Sequence, residues 1–258
     1  MSSGSLVELG REGDVCVVTL RREAKLNALS VALERELKNA LARDDVRSSA
    51  AVVVTGGERA FSAGADVNEL GPRDAGGTLA YYRDTGDVYE LLADLPQPTF
   101  SAIAGYCLGG GLELALATDF RIADETATFG FPEVSLGILP SSGGTYRLTR
   151  LLGPARAKEL VLLRSRLDAH EALAAGLVTE VVPRGAALAR ALELARTLAE
   201  QPRLAVTVTK QTIDALPAAP REAGIAIERF AYGLLAQTDD AQAGAASFSE
   251  RRRSRSDD

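Results

Sequence analysis

The chain has 258 residues, 46% of them hydrophobic, and carries a formal net charge of −6 with a pI near 5.1. This length and composition suffice for one globular domain with a sizeable core and a small appendage. The acidic balance disfavours a nucleic-acid-binding function, because no broad basic surface is available to neutralise phosphates.

The N-terminal sequence and the two cysteines indicate the compartment. The start, MSSGSLVELGRE, lacks a basic segment followed by an apolar one, and no apolar run reaches the length of about 18 residues that a membrane span requires. Cys16 and Cys107 have no CxxC spacing, so we predict two reduced thiols and neither a disulfide nor a zinc site. We therefore expect a cytoplasmic protein with no membrane partner.

The first part of the chain alternates strand and helix patterns. The run AVVVT is apolar throughout, as in a strand buried on both faces, and Ser30 is a suitable N-cap for the helix that follows it. Pro96 and Pro98 end another helix. The predicted order is strands 6–9 and 15–20, helix 30–43, strand 51–55, loop 58–66, a polar glycine-rich segment 71–78, helix 79–95 and strand 99–104.

The stretch from Gly105 to Gly144 carries most of the functional information. A run of three glycines, 109–111, opens an apolar segment that is compatible with helix and interrupted only by Glu113, and Glu133 follows Pro132. Glycines let a ligand reach backbone N–H groups. Such donors beside two carboxylates suit reactions in which charge develops on a carbonyl oxygen while a proton moves. Taken alone, the same residues also fit a tight turn, a solvated helix face and a loop glutamate.

The rest of the chain becomes increasingly helical. The last helices are rich in apolar residues, which suggests a face that another chain covers. We divide the chain into a core of residues 1–184 and a C-terminal helical region of residues 185–258, which ends in a solvated arginine-rich tail. The predicted elements are strands 120–123 and 128–131, helices 146–152 and 155–163, strand 177–182, and helices 186–200, 204–216, 221–237 and 241–252.

Several common enzyme classes lack their sequence marks here. A Ser-His-Asp hydrolase would have to use His170, the one histidine, and no GxSxG motif accompanies it. The chain contains no GxxxxGK[ST] phosphate loop, and no GxGxxG follows the first strands, so nucleotide hydrolysis and dinucleotide redox chemistry are disfavoured.

Several motifs together resemble the signature of the enoyl-CoA hydratase/isomerase family, also called the crotonase superfamily. They are KLNAL at 25–29, AFSAGADV at 60–67, AGYCLGGGLELALATD at 104–119, FGFPEVSLGILPSSGGTYRL at 129–148 and ALAAGLVTEVV at 172–182. They span nearly the whole chain in the family's order. The resemblance implies an α/β fold, a crotonase-like spiral of ββα units with a C-terminal helical region that packs a homotrimer or a homohexamer built as a dimer of trimers.

The resemblance also implies a site for an acyl-CoA thioester. The backbone N–H groups of Ala65 and Gly110 would form the oxyanion hole. Glu113 would deprotonate the water that attacks C3, and Glu133 would exchange the proton at C2. The residues expected to contact CoA or the substrate are Lys25, Ala63, Asp66, Val67, Asn68 and Ser141. No metal or further cofactor is expected, because coenzyme A arrives as part of the substrate.

The predicted activity is that of an enoyl-CoA hydratase, a lyase of fatty acid β-oxidation. Alternatives remain within the fold: an enoyl-CoA isomerase that uses Glu133 alone, or a hydratase or lyase of a cyclic or aromatic acyl-CoA. Ser141 and Tyr146 stand where relatives more often carry glycine and glutamine, which leaves the acyl group open. A non-catalytic acyl-CoA-binding scaffold is the remaining alternative, and in such a protein we would expect one glutamate to be lost.

Overall fold

A computed structural model describes residues 4–69, 71 and 74–254, with side chains to residue 247. The chain divides into two compact units, Met1–Leu198 and Ala199–Asp258. Among the described helices, none is long and apolar enough to cross a membrane.

The strands of the first unit form two sheets. In chain order they are β1 (Val7–Glu12), β2 (Val15–Leu20), β3 (Ala51–Thr55), β4 (Ala60–Ser62), β5 (Thr99–Ile103), β6 (Tyr106–Leu108), β7 (Phe120–Asp124), β8 (Thr128–Gly130), β9 (Leu167–Asp168) and β10 (Glu180–Val182). The larger sheet has the order β1-β2-β3-β5-β7-β10, with β1 and β2 antiparallel and the other pairs parallel. The smaller sheet has the order β4-β6-β8-β9.

The larger sheet is covered on both faces. Strand β3 is buried throughout, as its apolar sequence predicts, and its side chains alternate between two clusters. Val52 and Val54 belong to the main core, whereas Val53 packs with a second cluster that includes Ala187 and Ala191. The central strands therefore lie between two apolar clusters.

The helices that the sequence predicts in the first unit occur in the predicted order, with two differences of detail. The helices of this unit are α1 (Val31–Leu41), α2 (Asp44–Arg47), α3 (Ala75–Asp84), α4 (Val88–Ala93), α5 (Gly110–Leu116), α6 (Gly144–Leu162), α7 (Ala169–Ala174) and α8 (Ala187–Ala199). The predicted helix 79–95 is two helices, and α3 begins inside the polar glycine-rich segment 71–78. The predicted helices 146–152 and 155–163 form one element, α6, with a kink at Gly153, whose φ is 77°.

Helix α8 lies on the sheet of the first unit, through the alanines that recur every fourth residue. The first unit therefore extends to Leu198, whereas the sequence-based division placed this helix in the C-terminal region. The second unit contains α9 (Arg203–Ala215), α10 (Arg221–Leu235) and α11 (Asp239–Ser254).

The smaller sheet brings the glycine run to the loop at 58–66. That loop contains β4, which pairs with β6, the strand that leads into α5. Helix α5 then packs so closely on β4 that a Cβ on Gly111 would lie 2.5 Å from the Ser62 carbonyl oxygen. The third glycine of the run is thus a packing requirement.

Replacing Gly111 with alanine should therefore separate α5 from β4. Because the clash is with backbone, we expect a loss of about 1–3 kcal/mol in the free energy of unfolding, measured by urea denaturation. Gly10→Ala on exposed β1 is the control, since its Cβ would meet nothing closer than the Val17 Cβ at 3.9 Å. That variant should stay within about 0.5 kcal/mol of wild type; equal losses in both variants would contradict the packing argument.

Candidate active site

The loop at 63–66 presents one backbone amide toward α5. The Leu29 N–H donates to the Gly64 carbonyl at 2.8 Å, and the Asp66 N–H donates to the Leu29 carbonyl at 2.9 Å. In this bridge the residue between the two partners directs its N–H to the opposite side. The Ala65 amide therefore points away from Leu29 and is available to a ligand.

Gly110 lies on that side. A methyl group built on Gly110 would be 3.5 Å from the Ala65 nitrogen, and one built on Gly64 would be 3.4 Å from the Gly110 nitrogen. Gly110 is the first residue of α5, so its N–H has no acceptor within the helix. The structure thus brings together the two amides predicted from the resemblance, and paired amides can bind one carbonyl oxygen on which charge develops.

Glu113 lies three residues further along α5, on the same side of the helix as Gly110. Its side chain is buried, and its Oε1 accepts from the Ser142 N–H at 2.7 Å and the Gly144 N–H at 2.8 Å. Gly144 begins α6, so the carboxylate sits at the N-terminus of a long helix, where negative charge is stabilised. A Cβ on Gly144 would lie 2.7 Å from the carboxylate. Glycine is therefore required there.

The ionisation of Glu113 reflects two opposing effects. Burial raises the pKa of its carboxyl group above the ordinary value. The Gly144 and Ser142 amides and the charge of Arg147 act against that rise. With Oε1 held by two amides, Oε2 is the oxygen left to accept a hydrogen bond from water.

Glu133 is held differently. It opens a turn of 3-10 helix after Pro132, its side chain is buried, and Oε1 lies where a Cβ on Gly109 would be only 2.7 Å away. Within the part of the chain that the structure describes, its Oε2 has no hydrogen-bond partner. Burial raises the pKa of Glu133 to about 7, and the charge of Glu113 acts in the same direction. At neutral pH this carboxyl group is therefore able to give or take a proton.

The residues predicted to contact CoA lie in different environments. Asp66 is buried and forms an ion pair with Arg22 at 2.7 Å, which holds its pKa below the usual range. Its other oxygen accepts from the Asn68 N–H at 3.0 Å, so the carboxylate fixes the loop. The other side chains are exposed or half-buried at the surface; these are Lys25, Ala63, Val67, Asn68 and Ser141. Among the described residues, no group of three or more His, Cys, Asp or Glu is placed to hold a metal ion.

Ser141 and Tyr146, the two residues of the long motif that depart from the family's pattern, hydrogen-bond with residues other than the two acids. The Ser141 hydroxyl hydrogen-bonds with the Tyr82 hydroxyl of α3. Tyr146 is 62% exposed, and its hydroxyl accepts from Arg150 at 2.8 Å.

Nothing in the sequence indicated the backbone amides that hold Glu113. The Ser142 and Gly144 amides lie in the run SSGG, where only Ser141 carries a predicted role. Tyr89 was also missed: its hydroxyl lies 3.3 Å from the point where a methyl on Gly110 would be. It carried no signal, because a tyrosine in a predicted helix is ordinary.

The environment of Glu133 makes wild-type stability depend on pH. Its pKa is about 7 in the folded protein against an ordinary 4.5, so between these values the folded state holds the additional proton. The proton bound to Glu133 in the folded state contributes fully to the free energy of unfolding below about pH 4.5, and this contribution is lost as the pH rises through 7. Glu133→Gln removes this titration, so its Tm relative to wild type should be higher at pH 8 than at pH 5.

Glu125→Gln is the matched control for that measurement, because it makes the same chemical change on an exposed side chain. If both variants show the same dependence of the Tm difference on pH, burial of Glu133 is not its cause.

Comparisons with known proteins show the family of this chain. The family model described as Enoyl-CoA hydratase/isomerase matches residues 10–258. The chain is 39% identical over 245 residues to 2,3-dehydroadipyl-CoA hydratase of Escherichia coli K12, covering 95% of each protein. It is 39% identical over 243 residues to a probable enoyl-CoA hydratase of Rhizobium meliloti, covering 94% of each.

Solved structures show the same likeness. The crystal structure of an enoyl-CoA hydratase from Bacillus anthracis superposes with a TM-score of 0.88 at 37% identity, covering 96% of this chain and 97% of that one. A putative enoyl-CoA hydratase from Streptomyces coelicolor superposes with a TM-score of 0.90 at 32% identity, covering 97% of this chain and 94% of that one. The chain belongs to the enoyl-CoA hydratase/isomerase family and has its crotonase fold.

Proposed function

We propose that this protein is an enoyl-CoA hydratase that adds water to a trans-2-enoyl-CoA and forms a 3-hydroxyacyl-CoA. The observation that carries the proposal is that the glycine run joins the groups of the site: Gly110 lies next to the Ala65 amide, Glu133 lies against Gly109, and buried Glu113 follows on the same helix. The names of the relatives support the same reaction.

The first step uses the amides. The thioester oxygen accepts hydrogen bonds from the Ala65 and Gly110 N–H groups, which draws electron density from the C2–C3 double bond. Glu113 takes a proton from water through Oε2 while the water oxygen bonds to C3. The π electrons move onto the thioester as an enolate, whose oxygen the two amides stabilise.

The second step uses Glu133. Because its pKa is about 7, a large share of the molecules carry a proton on this carboxyl group at neutral pH. That proton goes to C2 as the enolate collapses, and a C–H bond replaces the enolate charge. After the product leaves, Glu113 loses its proton and Glu133 regains one, so the site returns to its starting state. The two acids thus have different tasks because their environments differ.

The proposed reaction is redox-neutral and requires no metal ion or separate cofactor, since coenzyme A is part of the substrate and the amides supply the charge stabilisation. Such a step belongs to fatty acid β-oxidation, where we place the protein. We also propose a cytoplasmic location, which the two buried free cysteines support.

An enoyl-CoA isomerase remains the second candidate. It would move a proton with Glu133 alone, and it would have no use for the two amides that fix Glu113. The hydrogen bonds from Ser142 and Gly144 therefore favour the hydratase.

We further propose a homotrimer or a dimer of trimers. The segment directly after Glu133 exposes large apolar side chains, among them Leu136 at 53% and Leu139 at 58%. In the second unit, Phe230 is 80% exposed and Tyr232 75%. Concentrated apolar surface of this kind marks a protein interface.

Glu113→Gln and Glu133→Gln should each lower the hydration rate by about 10²–10⁴, because each removes a positioned acid or base. The measurement is the loss of the conjugated-thioester absorbance of crotonyl-CoA at neutral pH. Glu125→Gln should match wild type, and all three variants should still bind CoA. A Glu113→Gln protein as active as wild type would exclude the two-acid hydratase, and a wild type that converts only 3-enoyl-CoA would indicate the isomerase.

Light scattering after gel filtration should give three or six times the chain mass of 27.1 kDa. Leu139→Glu should shift the mass toward the monomer, because a charge cannot be buried in the interface without a partner. Leu173→Glu, at another exposed leucine outside the 134–139 segment, should leave the mass unchanged. A wild type that elutes as a monomer would overturn the oligomer proposal.

A further inference from the structure

A buried polar cluster lies behind the paired amides. It consists of Glu34 on α1, Tyr81 on α3 and Tyr89 on α4, and we call it the Glu34 cluster. The Tyr89 hydroxyl donates to Glu34 Oε1 at 3.1 Å, and the Tyr81 hydroxyl lies 2.9 and 2.8 Å from the two carboxylate oxygens. Glu34 is 3% exposed and Tyr89 2%. A carboxylate is costly to bury, and the two phenols supply part of the hydrogen bonding that such burial requires.

One member of the cluster reaches the amides. The Tyr89 hydroxyl oxygen is 3.3 Å from the point where a methyl on Gly110 would lie, and the Ala65 nitrogen is 3.5 Å from the same point. Leu29 closes the third side, with Cδ1 at 3.4 Å. Tyr81 is not among these nearest neighbours, although it shares the carboxylate.

The proton of Tyr89 is committed to Glu34. Burial, and next the charge of Glu34, raise the pKa of Tyr89 well above its ordinary value, so the phenol stays protonated. A hydroxyl has one proton to donate, and here the carboxylate receives it. Toward Gly110 the residue therefore presents its oxygen as a fixed contact and offers no hydrogen bond to a thioester.

We propose that Tyr89 is a positioning residue of the oxyanion site. Glu34 fixes its hydroxyl, and the hydroxyl contact sets the first turn of α5. That turn carries the Gly110 amide and, three residues on, Glu113. The inference deepens the proposed hydratase function and rests on it for the kinetic part of its test.

The chain provides a matched pair of variants. Tyr89→Phe and Tyr81→Phe each remove one phenol hydroxyl from the same carboxylate, but of the two only Tyr89 is among the three nearest neighbours of the Gly110 Cβ position. We expect Tyr89→Phe to lower kcat for crotonyl-CoA about tenfold with KM little changed, since small misplacements of reacting groups lower rates steeply. Tyr81→Phe should stay within about twofold of wild type, because it leaves the Gly110 contact in place.

A spectroscopic measurement separates positioning from activity. The absorption band of 4-(dimethylamino)cinnamoyl-CoA moves to longer wavelength when its thioester carbonyl is polarised by hydrogen bonds. The band of the bound probe should move less in Tyr89→Phe than in wild type, and equally in Tyr81→Phe and wild type. If Tyr89→Phe does not fold, Glu34→Gln, which weakens the hold on Tyr89, should show the same smaller movement.

The outcomes are distinct. Equal losses of kcat and band movement in the two tyrosine variants, or wild-type values in Tyr89→Phe, would overturn the positioning proposal. A wild type that leaves crotonyl-CoA unchanged would overturn the hydratase function instead, and the band movement alone would then decide the role of Tyr89.

Discussion

Two carboxyl groups are buried in one site, and the structure offsets the cost of burial in a different way for each. Glu113 receives two backbone amides at the N-terminus of α6, which stabilise its charged form. Glu133 keeps one buried oxygen without a partner among the described residues, and its pKa rises to about 7. One acid is therefore suited to hold and deprotonate water, and the other to carry a proton. Pairs of acids in different environments can divide acid and base roles in this way.

The glycines of the site leave the room that these buried carboxyl groups need. Gly144 leaves room for the Glu113 carboxylate that its own amide binds, and Gly109 leaves room for Glu133. Gly111 allows α5 to lie directly on β4, which keeps the Gly110 amide near the loop that carries Ala65. Each glycine of the run 109–111 therefore has its own steric reason, although in sequence the run looks like one flexible segment. Gly109 also has a φ of 51°, a conformation that side-chain-bearing residues rarely adopt.

Structural features that depend on a local residue pattern could be predicted from the sequence. The bounds of β3 came directly from its apolar run, and the Ser30 cap of α1 is present, with its side chain accepting from the Leu33 N–H. The short strands β4, β6 and β9 were missed because pairing with distant segments creates them. The placement of α8 on the sheet also arises from tertiary contacts. For the site, the acids and glycines were visible, whereas the amides of the SSGG run and Tyr89 acquire a role only through packing.

The division between backbone and side-chain chemistry explains how this fold accommodates different reactions. The amides of Ala65 and Gly110 are backbone groups placed by a strand bridge and a helix start, so neither residue needs a functional side chain to supply them. The acids are side chains that a single substitution removes without disturbing that scaffold. In the proposed mechanism, the backbone polarises the thioester, and the acids decide the fate of the enolate. This chain has both acids and fixes Glu113 with two amides, an arrangement that suits the proposed water activation and that proton shuttling by Glu133 alone would not use.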